Sequence, residues 1–427
     1  MTNNNIAIRA SIIHFLNKDE YEFFEDGLLV VMNGFVKEIG PSEVLLEKWQ
    51  SVIPIEDETG KFLMPGFVDG HIHAVQNAVI ASYGAQLLDW LEDYTFPYEA
   101  RFQDQEFSNS SVDFFFHEML KNGTTSAAIY SSVHQESIHA VMEKAKELNM
   151  RIIAGKTNMD RNAPKELLEE TQTTFDIGME LIEKYHKSKR ISYALTPRFA
   201  ITSTSEQLQQ LGRLKQQYPK IHVQTHIAEN PKEIESVKAL FPQQKDYLDV
   251  YEQHGLIGKN SLLGHGIYFS QSEWERVKVS QASLIHCPTS NLFLGSGLFH
   301  MQKCLEMDIP LALGSDVGGG TSFSMLHTAA SAYQVAALQA YKPDAFTMFY
   351  LLTLGGAKAL GLDEKIGNFQ EGKEADFVLI NLEKQDVLTQ RIEESNSLEE
   401  TLFALMMLGD DRNIDSVYLM GEKISIS

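Results

Sequence analysis

Cysteine is almost absent: Cys287 and Cys304 are the only two in 427 residues. Two thiols cannot build a disulfide framework or a cysteine-rich metal site. Long apolar runs are missing as well, and none approaches the ~20 residues that cross a bilayer. The opening stretch, MTNNNIAIRASIIHFLNKDE, has no basic leader followed by a clean apolar core and a small-residue cleavage site. Positive charge is scarce, with 36 Lys and Arg against 58 Asp and Glu and a formal net charge of -22. That balance argues against binding nucleic acid through its phosphates and against an anionic membrane surface. No short repeat or low-complexity tract occurs. The expectation is an acidic protein of the reducing cytoplasm, with neither nucleic acid nor membrane as partner.

What remains is ordinary globular material, 43% hydrophobic and 22% charged. The length suits one barrel plus an accessory domain. Both ends are β-rich. GLLVVMNGFVKEIG (27–40) reads as two strands joined at Asn33-Gly34, and GKEADFVLINL (372–382) and SVYLMGEKISIS (416–427) also read as strands, with a tight turn expected at Gly421-Glu422. The two ends are expected to meet in a small composite domain.

The middle alternates. Apolar runs fall at 62–71, 123–130, 151–156, 191–198, 221–226, 261–265, 282–286 and 310–316, separated by helix-like stretches such as 111–123, 205–218 and 231–241. Eight buried strands alternating with helices predict an α/β fold, a (β/α)8 TIM barrel. A doubly wound open sheet is the alternative, weakened because no glycine-rich phosphate loop follows the first strand.

Polar residues end these runs. They are His71 and His73 in PGFVDGHIHAVQ, then Lys156, Arg198, His226, His265, His286 and Asp316. In a barrel all of these positions share one rim, the face that carries chemistry. Any one of them alone reads as a hydrogen-bonded structural residue; together they require a coincidence on most strands. The His-x-His pair projects both imidazoles to one side of a strand. His71, His73 and His226 offer three nitrogens and Asp316 a carboxylate oxygen, a set suited to one Zn²⁺ per chain, with iron a second candidate. An open position would hold water, whose pKa the metal lowers to yield a hydroxide nucleophile. Glu229, in THIAEN, lies near enough to His226 to move protons without ligating; alternatively it is an acid favoured at a helix N-terminus. The other zinc deaminase pattern, His-x-Glu with Pro-Cys-x-x-Cys, fails: HQE (134–136) matches its first half, but the cysteines are wrongly spaced.

These residues resemble the amidohydrolase superfamily, and HCPTSN (286–291) and TLGGAKALG (353–361) resemble its aminohydrolase branch. The stretches LLDWLEDYTFPYEARF (87–102), LTPRF (195–199), SDVGGGTSFSML (315–326), IGNFQEGKEAD (366–376) and LGDDRNIDSVY (408–418) narrow the likeness to the guanine-deaminating family within that branch. It runs from about residue 25 to the end of the chain. It implies a barrel over 63–365, a β-sandwich built from 1–62 and 366–427, a zinc ion and a homodimer. It also implies hydrolysis of guanine to xanthine and ammonia, a step of purine catabolism. His71, His73, His226 and Asp316 would then bind the metal. Gln76, Arg198, Phe199, His226, Glu229 and Asp316 would line the substrate site. Departures at Val75, Thr289 and Gly318 spare every proposed ligand.

On this reading Asp316 takes the proton of the water, His265 orients the attacking oxygen at C2, and Glu229 shuttles a proton to the adjacent ring nitrogen. Arg198 suits guanine's carbonyl and N7, and Gln76 the ring edge. Trp90, Phe96 and Phe102 are expected to cover the site or to pack in the core. Three other readings stay open: a binuclear cyclic amidohydrolase with carbamylated Lys156, a related aminohydrolase acting on a pterin, triazine or other purine, and a barrel that uses the metal only to hold a binding surface. His286 and Lys156 have no assigned role.

Overall fold

A computed structural model describes residues 5–83 and 86–425. Four strands come first: β1 (Ile6–Asn17), β2 (Glu20–Met32), β3 (Phe35–Pro41) and β4 (Ile55–Pro65). Asn33 and Gly34 join β2 to β3 with φ of 54° and 84°, the geometry of a two-residue hairpin turn. Residues 28–31 read as one apolar run because both faces of the sheet are covered. Leu29 and Val31 pack into one cluster with Ile8, Ile12 and Leu63, while Leu28 and Val30 meet Leu45 and Trp49 of the helix Ser42–Trp49.

Barrel strands follow: β5 (Phe67–His73), β6 (Thr124–Tyr130), β7 (Arg151–Gly155), a two-residue β8 (Thr157–Asn158), β9 (Ile191–Pro197), β10 (His222–Ile227), β11 (Ser261–His265), β12 (Ser283–His286) and β13 (Leu311–Leu313). Eight of these run parallel in the order β13-β12-β11-β10-β9-β7-β6-β5, with β8 paired to β9. This is the expected barrel. Helices cross between the strands, and their starts carry caps. Asp104 accepts from the N–H of Phe107 and Thr204 from that of Gln207, while Asn230 and Glu233 form a capping box ahead of Pro231–Leu240. The helix expected from residue 111 starts at Gln105, set by that Asp104 cap.

The last strands are β14 (Phe377–Ile380), β15 (Ile414–Leu419) and β16 (Glu422–Lys423). β14 pairs antiparallel with β4, so both ends of the chain share one seven-stranded sheet, β16-β15-β14-β4-β1-β2-β3. The final turn lies one residue earlier than expected. Met420 and Gly421 occupy it, at φ of 52° and 70°, because such a loop needs two positive-φ residues and glycine takes the second place, as in Asn33-Gly34. The last two residues of the expected strand segment lie outside the described ones. The apolar run 310–316 is strand only over Leu311–Leu313. Beyond it, Asp316 turns at φ 50° and its N–H donates to the carbonyl of His71 at 2.8 Å, bringing the first and last barrel strands together.

Candidate active site

β5 puts Asp69, His71 and His73 on one face, as the two-residue period of a strand requires. Asp69 is buried and accepts from the N–H of His71 at 3.1 Å and the N–H of Ser315 at 3.0 Å, anchoring β5 to the loop that carries Asp316. Burial pushes its carboxyl up to about 7, against those hydrogen bonds. The strand ends β5 and β10 and the loop after β13 bring His71, His73, His226 and Asp316 together, one donor atom from each lying within 4.8 Å of all the others. Asp316 Oδ1 is 3.2 Å from His71 Nε2 and 3.3 Å from His73 Nε2, and the Nε2 atoms of His73 and His226 are 3.1 Å apart.

The donor set passes a test for a cation. His226 Nδ1 lies 2.7 Å from the Arg198 carbonyl, to which it donates, so its Nε2 faces its neighbours as a lone pair. His71 Nε2 is buried and, with Asp316 Oδ1 3.2 Å away, makes no well-aligned hydrogen bond among the described residues. Burial lowers His71 to about 4 and holds His226 well below its usual value, so both rings are neutral at pH 7. Burial alone would push Asp316 up, but His71, His73 and His265 outweigh it and hold the carboxyl well below the usual range. Three imidazole nitrogens and a carboxylate oxygen converging in one buried cluster suit a metal ion. Cys287 also lies within reach of His71, His265 and Asp316, as a second candidate donor group, and burial raises its thiol well above the usual value.

Beside this cluster, Glu229 Oε2 lies 3.4 Å from His265 Nε2, which is 3.8 Å from Asp316 Oδ2. Glu229 Oε1 accepts from the Ser296 hydroxyl at 2.8 Å. The Glu229 and Asn230 N–H groups both donate to Glu233, at 2.8 and 3.0 Å, so the helix cap also fixes the turn that carries Glu229. Burial raises the Glu229 carboxyl above its usual value, with Asp316 adding to the shift. His265 Nδ1 pairs with Asn291 Oδ1 at 2.8 Å. Burial would lower this histidine, yet Glu229 and Asp316 prevail and raise it. His265, Ala228 and Asp316 all sit at positive φ, of 71°, 50° and 50°. Left-handed backbone at three non-glycine positions around one site is the strain that concentrates where function fixes geometry.

These groups face one shared pocket. Gln76, Arg198, Phe199, His226, Glu229 and His265 line it, with Asp316 and His73 at the metal end. Trp90 lines it too, with Leu87 and Leu91. Phe96 instead backs the Arg198 guanidinium at 5.3 Å, and Phe102 is core, packed 5.1 Å from Phe107. Lys156 is engaged elsewhere: its buried ammonium pairs with Glu169, which argues against the bridging role of the binuclear reading. His286 stacks on Phe299 at 4.7 Å, neither ring nitrogen has a partner among the described residues, and burial lowers it to about 3, as for a packing residue.

Three contributors escaped the sequence reading. Asn291 lies inside HCPTSN, where spacing offers no partner for it. Ser296, in GSG, reads as a turn residue. Glu99, in FPYEARF, reads as an exposed helix acid but is fully buried between Gln76 and Arg198.

The chain matches the amidohydrolase family over residues 62–424. It is 46% identical to the guanine deaminase of Escherichia coli (strain K12) over 402 residues, which cover 94% of this chain and 92% of the other. The structure of an E. coli guanine deaminase superposes with a TM-score of 0.96 at 44% identity, covering 98% of this chain and 99% of that one. A guanine deaminase from C. acetobutylicum, with guanine bound in its active site, superposes with a TM-score of 0.91 at 31% identity, covering 99% and 100%. The chain therefore belongs to the amidohydrolase family and, within it, to the guanine deaminases.

Proposed function

We propose that this enzyme hydrolyses guanine at C2 to xanthine and ammonia, using one Zn²⁺ held by His71, His73, His226 and Asp316. The observation that carries the reading is the convergence of Glu229, His265 and Asp316, 3.4 and 3.8 Å apart, on the same pocket as Arg198 and Gln76. The mixture of three imidazoles and one carboxylate suits Zn²⁺, with iron the alternative occupant. When bound, such an ion acidifies a water molecule and stabilises developing negative charge.

The side chains supply the rest. Asp316, held ionised, accepts a proton from the attacking water. In its protonated form, which Glu229 and Asp316 favour, His265 donates from Nδ1 to Asn291 Oδ1 and directs its Nε2 proton at the oxygen that joins C2. Glu229, whose carboxyl is raised by burial, protonates the ring nitrogen next to C2; the water proton taken by Asp316 then passes to the departing amine, and the hydroxyl proton left on the attacking oxygen returns to Glu229 as the C–N bond breaks, so that ammonia leaves and the C2 carbonyl forms. Arg198 donates toward the guanine carbonyl and N7, Gln76 meets the ring edge, and Phe199 packs against the base. Adenine places an amino donor opposite Arg198, a mismatch that can cost a factor on the order of 10⁴.

The two-part organisation follows the same reading: 63–365 as the catalytic barrel and 1–62 with 366–427 as the composite β-domain. A cytoplasmic location is supported by two buried, unpaired cysteines. A homodimer is what the likeness to guanine deaminases implies, and light scattering on the purified protein measures it.

The test is a substrate panel of guanine, adenine, cytosine, a pterin and dihydrouracil, assayed for ammonia, with metal counted per chain. Guanine turnover, abolished by chelation and restored by Zn²⁺ at one ion per chain, is expected. Glu229→Gln should retain metal and guanine binding while turnover falls about 10²–10⁴-fold. Comparable rates on guanine and adenine, or full activity in the Gln variant, would overturn the scheme.

A further inference from the structure

We infer that Glu99 is a positioning residue of the substrate pocket, one carboxylate that sets both Gln76 and Arg198 in their recognition geometry; this rests on the guanine reading above. Glu99 is fully buried, and its two oxygens serve different partners. Oε1 accepts from Gln76 Nε2 at 2.8 Å, and Oε2 accepts from Arg198 Nη1 at 2.6 Å. Its carbonyl accepts from the Ser132 hydroxyl at 3.3 Å, tying this point of the chain to the loop after β6.

The consequence for Gln76 is chemical. An ionised carboxylate only accepts, so the amide must turn its NH₂ toward Glu99 and present Oε1 on the other side. Gly318 keeps room for that oxygen, since a Cβ at this position would lie 2.1 Å from it. Without Glu99 the two ends of the amide are nearly equivalent in shape, and the side chain loses the preference that makes it an acceptor for guanine's ring-edge N–H groups. For Arg198 the consequence is charge. Its pair with Glu99 is buried on both sides, 4% and 1% exposed, so the pocket meets a neutral base with a neutralised pair whose remaining N–H groups are held in direction. Phe96 backs the guanidinium from the helical turn that ends at Glu99.

A single short segment therefore does two things. The turn Leu91–Thr95 is π-helical and the next, Phe96–Glu99, is α-helical, so Trp90 and Leu91 reach the pocket wall while Glu99 reaches beneath its recognition residues. This is preorganisation: hydrogen-bonding groups are fixed before substrate arrives, which affects binding and discrimination more than the chemical step.

Steady-state kinetics on Glu99→Gln and Glu99→Ala test this, with metal content measured on each. Glu99→Gln is expected to raise KM for guanine about tenfold or more with kcat within about threefold, and to narrow the guanine-over-adenine ratio of kcat/KM by a similar factor. The isosteric variant keeps the test open if the alanine variant fails to fold. Unchanged KM and selectivity in Glu99→Gln would overturn the role of Glu99. A parent enzyme inactive on guanine would instead overturn the functional reading itself.

Discussion

Buried imidazoles differ here according to what their ring nitrogens reach. His265 faces two carboxylates and is raised, while His222, whose Nε2 bonds to the Leu360 carbonyl at 3.0 Å with no carboxylate as partner, is lowered to about 4 by burial. A histidine whose folded value lies below its unfolded 6.5 contributes full stability above 6.5, and that contribution is lost as the pH falls from there toward 4. Between pH 7.5 and 5 this one residue should cost about 2 kcal/mol of stability. Urea unfolding at both pH values checks it: His222→Gln should show a correspondingly smaller drop on acidification, and equal drops would refute the assignment. At this scale the sequence was readable where chemistry follows local spacing. His71 and His73 share a face because strands alternate, and His226, Arg198 and Asp316 end or follow apolar runs. Glu99 was not readable, because its meaning lies in two partners 23 and 99 positions away.

Helix starts carry more than helix stability in this fold. Asn230 caps Pro231–Leu240, and Glu233 answers by holding the N–H groups of both Asn230 and Glu229. Asn230→Ala should destabilise the protein by about 1 kcal/mol in urea unfolding. Because the same box fixes the turn of Glu229, kcat should fall while KM for guanine changes little; stability loss with kcat intact would show that the cap serves the helix alone. Elements with strong local signals were legible, such as the Asn33-Gly34 hairpin and the helices after Thr204 and Asn230. The three-residue strand Leu311–Leu313 was read too long, since an apolar run continues into the turn that Asp316 makes at positive φ. The π-helical turn Leu91–Thr95 was invisible because one extra residue barely disturbs a helical apolar pattern.

Across the whole molecule, the terminal sheet and the barrel are joined by a buried ionic group. Arg151 in β7 and Arg190 just before β9 both pair with Glu374, and Arg190 also pairs with Asp376, next to β14. Burial pushes the Glu374 carboxyl up, but the two arginines outweigh it and hold it below its usual value. Glu374→Ala leaves two largely buried cations short of a partner and should cost about 3–5 kcal/mol, seen as a lower Tm with guanine KM unchanged. A variant as stable as the parent would show that water replaces the pair. The alternation of apolar runs and helix-like stretches announced this architecture well, because parallel strands need helical crossovers. The joint itself was not announced, since charged residues near both ends of a chain carry no sign of which will meet.

The contact between Asp316 N–H and the His71 carbonyl has a further meaning for how the enzyme matures. Its donor group draws on the first barrel strand and on the loop after the last, so a chain still emerging from the ribosome has three imidazoles and no carboxylate until Asp316 is made. An ion held by all four groups would therefore be captured late, after the first barrel strand and the loop behind the last have met.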